Sequence, residues 1–225
     1  MIEDHVLFID GEAIILDKPA GLAVDPPKNG GMSLENHLSR LTFGFKRWPL
    51  AVHRLDRDTS GCLLLARHPK AHKRFAAAFE ARQVVKGYVA VLEGVPAEQS
   101  GMIDLPLYKV SSAEEGWRMV VDQRGKAART AWEKLTEKDG RSMIRFFPET
   151  GRTHQIRAHA LYGLGAAIVG DPVYGGGTPA PMLLHSHFLS LKREGKPPVE
   201  ATAPLPERFA AAGFGPEYLN EGGHD

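Results

Sequence analysis

The segment His53-Arg54-Leu55-Asp56-Arg57-Asp58-Thr59-Ser60-Gly61 gathers several groups able to do chemistry into one short stretch. Asp56 sits among Arg54, Arg57 and His53, whose positive charge favours an ionised carboxylate. A carboxylate held in that state is a competent nucleophile toward a sugar carbon, the use glycosidases make of it. The same residues also suit a polar turn between strands, because Asp-Thr-Ser-Gly is ordinary turn chemistry. Residue types alone leave both readings open. A different chemistry, metal-dependent hydrolysis, is raised by His53, His154, His159, His185 and His187. His154 and His159 are five apart, off a common helical face and on opposite faces of a strand. His185 and His187 would share a strand face, but two ligands make no site. No metal is expected.

Rigid elements must hold the Asp56 loop at both ends. Ala51–Leu55 and Cys62–Ala66 are apolar runs of strand length on either side of it. Val6–Ile9 and Ala13–Leu16 read as strands joined at Asp10-Gly11, a strong hairpin signal. Leu22–Val24 reads as extended. A short helix with Ser33 as N-cap follows. Pro69–Arg82 has helical character, with Phe75 and Phe79 on one face. Gly87–Leu92 is a buried strand by composition. Further strands are expected at Arg118–Val121, Ala128–Leu135, Met143–Phe147 and Met182–Leu189, with a helix between Gly151 and Gly163. Residues 96–116 and 171–181 read as loops. Most strands are joined by turns rather than crossover helices, so the class expected is α+β with a mixed, mostly antiparallel sheet.

The chain has 225 residues, 43% of them hydrophobic and 24% charged, enough for a core without staples. Its single Cys62 suits a reducing compartment. The first ten residues lack the basic start and apolar stretch of a signal peptide. No run approaches the ~20 apolar residues that span a bilayer. A cytoplasmic location is expected. The net charge of +1 hides an uneven distribution. Residues 1–39 carry two Lys/Arg against seven Asp/Glu, residues 40–86 eleven against three, and residues 118–157 ten against five. One positive face is therefore compatible with a nearly neutral whole.

The string His53 to Gly61 closely resembles the signature of the RluA-type family of RNA pseudouridine synthases. Other segments resemble that family's elements in the same order: Asp17-Lys18-Pro19-Ala20-Gly21-Leu22, Lys86-Gly87-Tyr88, Thr150-Gly151-Arg152-Thr153-His154-Gln155-Ile156-Arg157-Ala158-His159, Ile168 to Gly175, and Leu183-Leu184-His185. Asp17 stands where Asn is commoner. The resemblance implies the α+β pseudouridine-synthase core, a bent sheet with flanking helices and a central cleft. It further implies one catalytic domain over residues 1–212, with a tail over 213–225. Many members carry an extra N-terminal RNA-binding domain, and the sequence departs from them in starting almost directly with the catalytic element, so no such separate domain is expected.

By the same resemblance Asp56 is the catalytic carboxylate. Tyr88 stacks on the target base, and Arg157 pairs with Asp56, with Arg152 as the rival for that pairing and otherwise a phosphate contact. Arg54 enters the RNA stack in place of the extruded uridine. Leu184, or Leu183 beside it, closes the pocket on uracil, and His53 is grouped with these substrate contacts. The implied substrate is structured ribosomal or transfer RNA, the implied cofactor none, and the expected oligomeric state a monomer.

Overall fold

The computed structural model describes residues 1–27, 30–112, 116–175 and 180–219. The strands run in chain order β1 (Val6–Ile9), β2 (Ala13–Lys18), β3 (Leu50–Ala51), β4 (Ser60–Ala66), β5 (Val84–Leu92) and β6 (Ser100–Asp104). They continue with β7 (Leu107–Ser112), β8 (Gly116–Val121), β9 (Arg129–Lys138), β10 (Arg141–Pro148), β11 (Leu184–Arg193) and β12 (Lys196–Thr202). Three α-helices accompany them: α1 (Pro69–Glu80), α2 (Gln155–Leu164) and α3 (Glu207–Ala211). Two compact units result, Met1–Lys86 with Ser186–Pro204, and Gly87–His185 with Leu205–Asp225.

In the first unit the strand order is β1-β2-β4-β11, with β12 on β11 and β3 on β4. The β1–β2 hairpin closes where the Asp10 carboxylate accepts from the backbone N–H groups of Glu12 and Ala13. Every residue of β4 is buried, as its continuous apolar run requires. Its Leu64 and Ala66 pack with Ile15, Ala71, Phe75 and Leu189 in one core. Helix α1 contributes Ala71 and Phe75 to that core, and the His68 ring caps it by accepting from Ala71 N–H. The short helix expected after Ser33 is a 3-10 helix, Leu34–Leu41, with Ser33 as its N-cap.

The expected strand Ala51–Leu55 stops after Ala51. The cause lies outside the segment: Leu64 N–H, eleven residues on, is taken by the His53 ring at 3.0 Å, so a side chain substitutes for the strand partner the backbone would have supplied. Leu22–Val24 contributes only a single bridge, Ala23 to Ser33.

In the second unit the order is β5-β10-β9-β6, antiparallel throughout, with β7–β8 as a separate hairpin. Much of the stretch 96–116, expected as loop, is thus β6 and β7. Their side chains are mostly exposed, which left no apolar run to mark them. Strand β12 was likewise hidden, by Pro197 and Pro198. Phe214, in the stretch expected as a tail, is buried with Val89, Val91, Met143 and Phe209; residues 220–225 lie outside the described residues. Among the described residues no helix is long and apolar enough to cross a membrane.

Candidate active site

Asp56 occupies the loop between β3 and β4 in the first unit and is half-buried. Thr59 N–H returns to the Asp56 carbonyl at 3.1 Å, so the residues after Asp56 form a tight turn. A fully buried ammonium grips this turn from below. Lys18 Nζ donates to the carbonyls of Pro19 (2.8 Å), Leu22 (2.8 Å) and Arg57 (3.1 Å). Gly21 N–H also reaches the Arg57 carbonyl at 2.9 Å, and Arg57 Nε returns to the Gly21 carbonyl. The Asp17 to Leu22 segment is therefore a clamp on the loop that carries Asp56. Burying an ammonium is costly unless oxygen ligands replace its water, and these carbonyls do so.

The two ends of the loop are fixed differently. At its start the His53 ring accepts from Leu64 N–H and stacks on Phe79 with centroids 4.7 Å apart. Burial, and then the nearby Lys86 charge, push His53 down to about 3 against a smaller opposing contribution from its Arg54 backbone contact, so the ring stays neutral and able to accept. Burial alone brings Lys86 down to about 8. At its end Gly61 has φ +104°, and a Cβ there would collide with the Ser186 carbonyl. Only glycine meets both demands. Arg54, exposed, pairs with Asp25 at 2.9 Å across open solvent, a contact worth little and easily exchanged.

The second unit carries the other expected residues. Tyr88 lies on β5, buried, with Phe146 of β10 opposite. Arg157 lies on α2, buried, and forks onto Asp171 through Nε and Nη2, both at 2.7 Å. Asp171 also accepts from the N–H groups of Val173 and Tyr174. Its burial opposes ionisation, yet the Arg157 bonds and charge with these two N–H groups hold the carboxyl below its usual range.

Helix α2 is entered through His154, whose φ of +50° is unusual for a residue with a Cβ. Gln155 fixes that entry. Its Oε1 accepts from Thr150 Oγ1 and Arg152 N–H, and its Nε2 donates to the Arg129 carbonyl and Thr130 Oγ1. Arg152 is itself turned toward the Ala127 carbonyl. Leu183 is in the second unit's core with Val89, Val91 and Val169, and Leu184 opens β11, also buried.

The histidines are engaged as hydrogen-bond and stacking groups. His159 meets Thr130 Oγ1 and the Leu105 carbonyl, His187 meets the Ala203 carbonyl, and His154 stacks on Trp117. Among the described residues no three His, Cys, Asp or Glu converge as a metal-holding group.

The sequence model of a family described as RNA pseudouridylate synthase matches residues 12–162. An uncharacterised RNA pseudouridine synthase of Zymomonas mobilis is 57% identical over 95% of this chain and 99% of its own length. The chain belongs to the RluA-type RNA pseudouridine synthases. A ribosomal large subunit pseudouridine synthase D of the same organism is 37% identical over 76% of this chain, which spans 56% of that relative. The chain therefore spans little more than half the length of that relative. In fold, the chain is similar to human RNA pseudouridylate synthase domain containing 1, with 26% identity, a TM-score of 0.73, and coverage of 88% and 82% of the two chains. It is also similar to human RNA pseudouridylate synthase domain containing 4, with 23% identity, a TM-score of 0.78, and coverage of 98% and 93%. The architecture is therefore the α+β pseudouridine-synthase fold, a large, mostly antiparallel sheet with few helices.

Within that family frame, three supporting residues escaped the sequence reading. In the sequence Lys18 is one residue of the Asp17 to Leu22 string with nothing to mark it out. Asp171 falls within the Ile168 to Gly175 element, which assigns it no role. Gln155 lay between two residues of interest. A signal existed for Asp171: an arginine on an apolar helix requires a carboxylate, and the Gly170-Asp171 pair supplies one.

Proposed function

We propose that this protein converts specific uridines in structured RNA to pseudouridine. The N1–C1′ bond of the target breaks, the uracil turns, and a C5–C1′ bond forms. C5 then gives up its proton while N1 gains one, so the reaction balances without an oxidant, a reductant or water consumed. Asp56 is assigned to the anomeric carbon, where it traps or stabilises the oxocarbenium-like sugar. Tyr88 is assigned to stack on the detached base and to assist the C5 proton. Arg157 is assigned to orient the Asp56 carboxylate, and its Asp171 fork supports this by fixing the guanidinium plane. Arg54, whose ion pair is exposed, is assigned to the gap the uridine leaves. Arg152 is assigned to phosphate and Leu184 to the uracil face, since Leu183 is committed to the core. His53 moves from substrate contact to support of the loop.

The observation that carries this reading is the clamped loop: a signature aspartate held on a turn that a buried lysine fixes to the main chain. A stacked nucleotide does not expose its glycosidic carbon, so the target must be extruded, at least cost from a loop of ribosomal or transfer RNA. The names of the longer relatives make large-subunit ribosomal RNA the first candidate. We place the enzyme in the cytoplasm, acting as a monomer.

The test is a map of pseudouridines in total RNA from cells with the gene, without it, and with Asp56→Ala. Sites that vanish in both altered strains, while the purified variant still binds RNA, are the expected result. Modification surviving Asp56→Ala would remove that residue from its role.

A further inference from the structure

The stretch Thr42-Phe43-Gly44-Phe45-Lys46-Arg47-Trp48 has no part in the site described above, yet it is the most exposed aromatic run in the first unit. Residues 43–48 are all exposed, with Phe43 at 43%, Phe45 at 38% and Trp48 at 57%. Single exposed apolar residues need no explanation, but three large rings within six residues do. The sequence around them is basic, although Arg40 and Arg54 pair with Glu3 and Asp25 and leave Lys46 and Arg47 as the cations beside the rings. Between Glu35 and Asp56 there is no acid, while Arg40, Lys46, Arg47 and Arg54 fall in that interval.

This loop is built, not loose. Arg67, nearly buried, donates through Nη1 to the Asp10 carbonyl and through Nη2 to the carbonyls of Thr42 (3.0 Å) and Phe43 (2.9 Å). Its guanidinium lies 3.9 Å from the centroid of the Phe45 ring. Phe43 has φ +43°, followed by Gly44 at φ +86°. A left-handed bulky residue is strained and persists only where its surroundings impose it. Here the imposed conformation gives no ring to the core. It presents rings and cations together on the surface.

Rings interleaved with cations are what unpaired nucleotides require: π-faces for the bases and positive charge for the phosphates. We propose that Phe43, Phe45 and Trp48 form a stacking platform for two or three unpaired RNA nucleotides, with Lys46 and Arg47 meeting their phosphates. The proposal rests on RNA being the substrate and adds that the RNA engaged at this loop is single-stranded. A duplex hides its base faces and gains only from the charges.

The experiment uses the full chain and a labelled oligouridine of about twelve nucleotides, set against an RNA duplex of the same length, both read by fluorescence anisotropy. Phe43→Ala with Trp48→Ala should weaken single-strand binding on the order of tenfold or more and leave duplex binding within about twofold. Trp48→Phe should retain most of the single-strand affinity. Lys46→Ala with Arg47→Ala should weaken both probes and flatten the salt dependence. The platform is overturned if the wild type fails to bind oligouridine, if the ring variant binds it unchanged, or if the ring variant loses both probes equally. It is equally overturned if sedimentation shows that the rings hold two copies of the chain together while RNA binding is unaffected. Pseudouridine formation by the wild type on RNA from cells lacking the gene is scored separately. Its absence would defeat the proposed function whatever the binding assay reads.

Discussion

Replacing His53 by Gln should change how the protein responds to acid while leaving its neutral-pH structure nearly intact. The ring is held neutral because burial and Lys86 disfavour its charge, and because Leu64 N–H needs an acceptor. The folded value is pushed down to about 3 from an ordinary 6.5. Below pH 6.5 the unfolded chain therefore takes up a proton that the folded chain refuses. Stability is full above 6.5 and drains away as pH falls toward 3. At pH 4.5, two units below the ordinary value, the loss from this group has an upper limit of about 2.7 kcal/mol. The ring keeps partial contact with water, so we expect roughly 1.5 kcal/mol. Gln places its Oε1 near the position of Nε2 and can accept from Leu64, but it does not titrate. Urea unfolding of both proteins at pH 7 and pH 4.5 gives a double difference in which all other groups cancel. With a slope of about 3 kcal/mol/M, the wild-type midpoint should fall roughly 0.5 M further than that of the variant. Equal falls would refute the claim that His53 is a neutral acceptor pinning the start of the Asp56 loop.

Two other substitutions test the supports beneath the site. Lys18→Met leaves the carbonyls of Pro19, Leu22 and Arg57 without their shared donor, and should cost about 3 kcal/mol, or roughly 6–12 °C in the Tm read by calorimetry; an unchanged Tm would mean water replaces the ammonium without loss. Asp171→Asn keeps an oxygen for the N–H groups of Val173 and Tyr174 but takes the negative charge from buried Arg157. It should cost about 3 kcal/mol at pH 7 by denaturant titration. Because the folded carboxyl sits below its usual range, this advantage of the wild type is complete above about pH 4 and closes as pH falls through the folded value. A gap that stayed constant down to strong acid would show that charge is not what Asp171 supplies.

How much of this was legible in the sequence depended on whether the deciding interaction was local. Strands β4 and β5 were plain because burial on both faces demands unbroken apolar runs, and α1 was plain from Pro69 and the spacing of Phe75 and Phe79. Strands β6 and β7 were not, because their mostly exposed side chains leave no pattern of burial to read. The strand expected through Leu55 failed for a non-local reason: His53 captures an amide eleven residues away. In the site, Asp56 stood out because its whole string is distinctive. Lys18 did not, since a lysine is ordinarily a surface residue, and its Arg57 acceptor is 39 positions along the chain. The Asp171 partner of Arg157 left a partial signal, an arginine on an apolar helix that needs a carboxylate, but the pairing itself spans 14 residues that the fold closes.

Strand β12 borders the first unit's sheet, pairing with β11, and begins Lys196-Pro197-Pro198. Two adjacent residues without an amide hydrogen, preceded by a cation, make poor docking for a stray strand. This border of the sheet is thereby spared self-templated stacking with a second copy. Fusions or tags designed to extend the sheet there should fail to register, whereas appended loops should be tolerated.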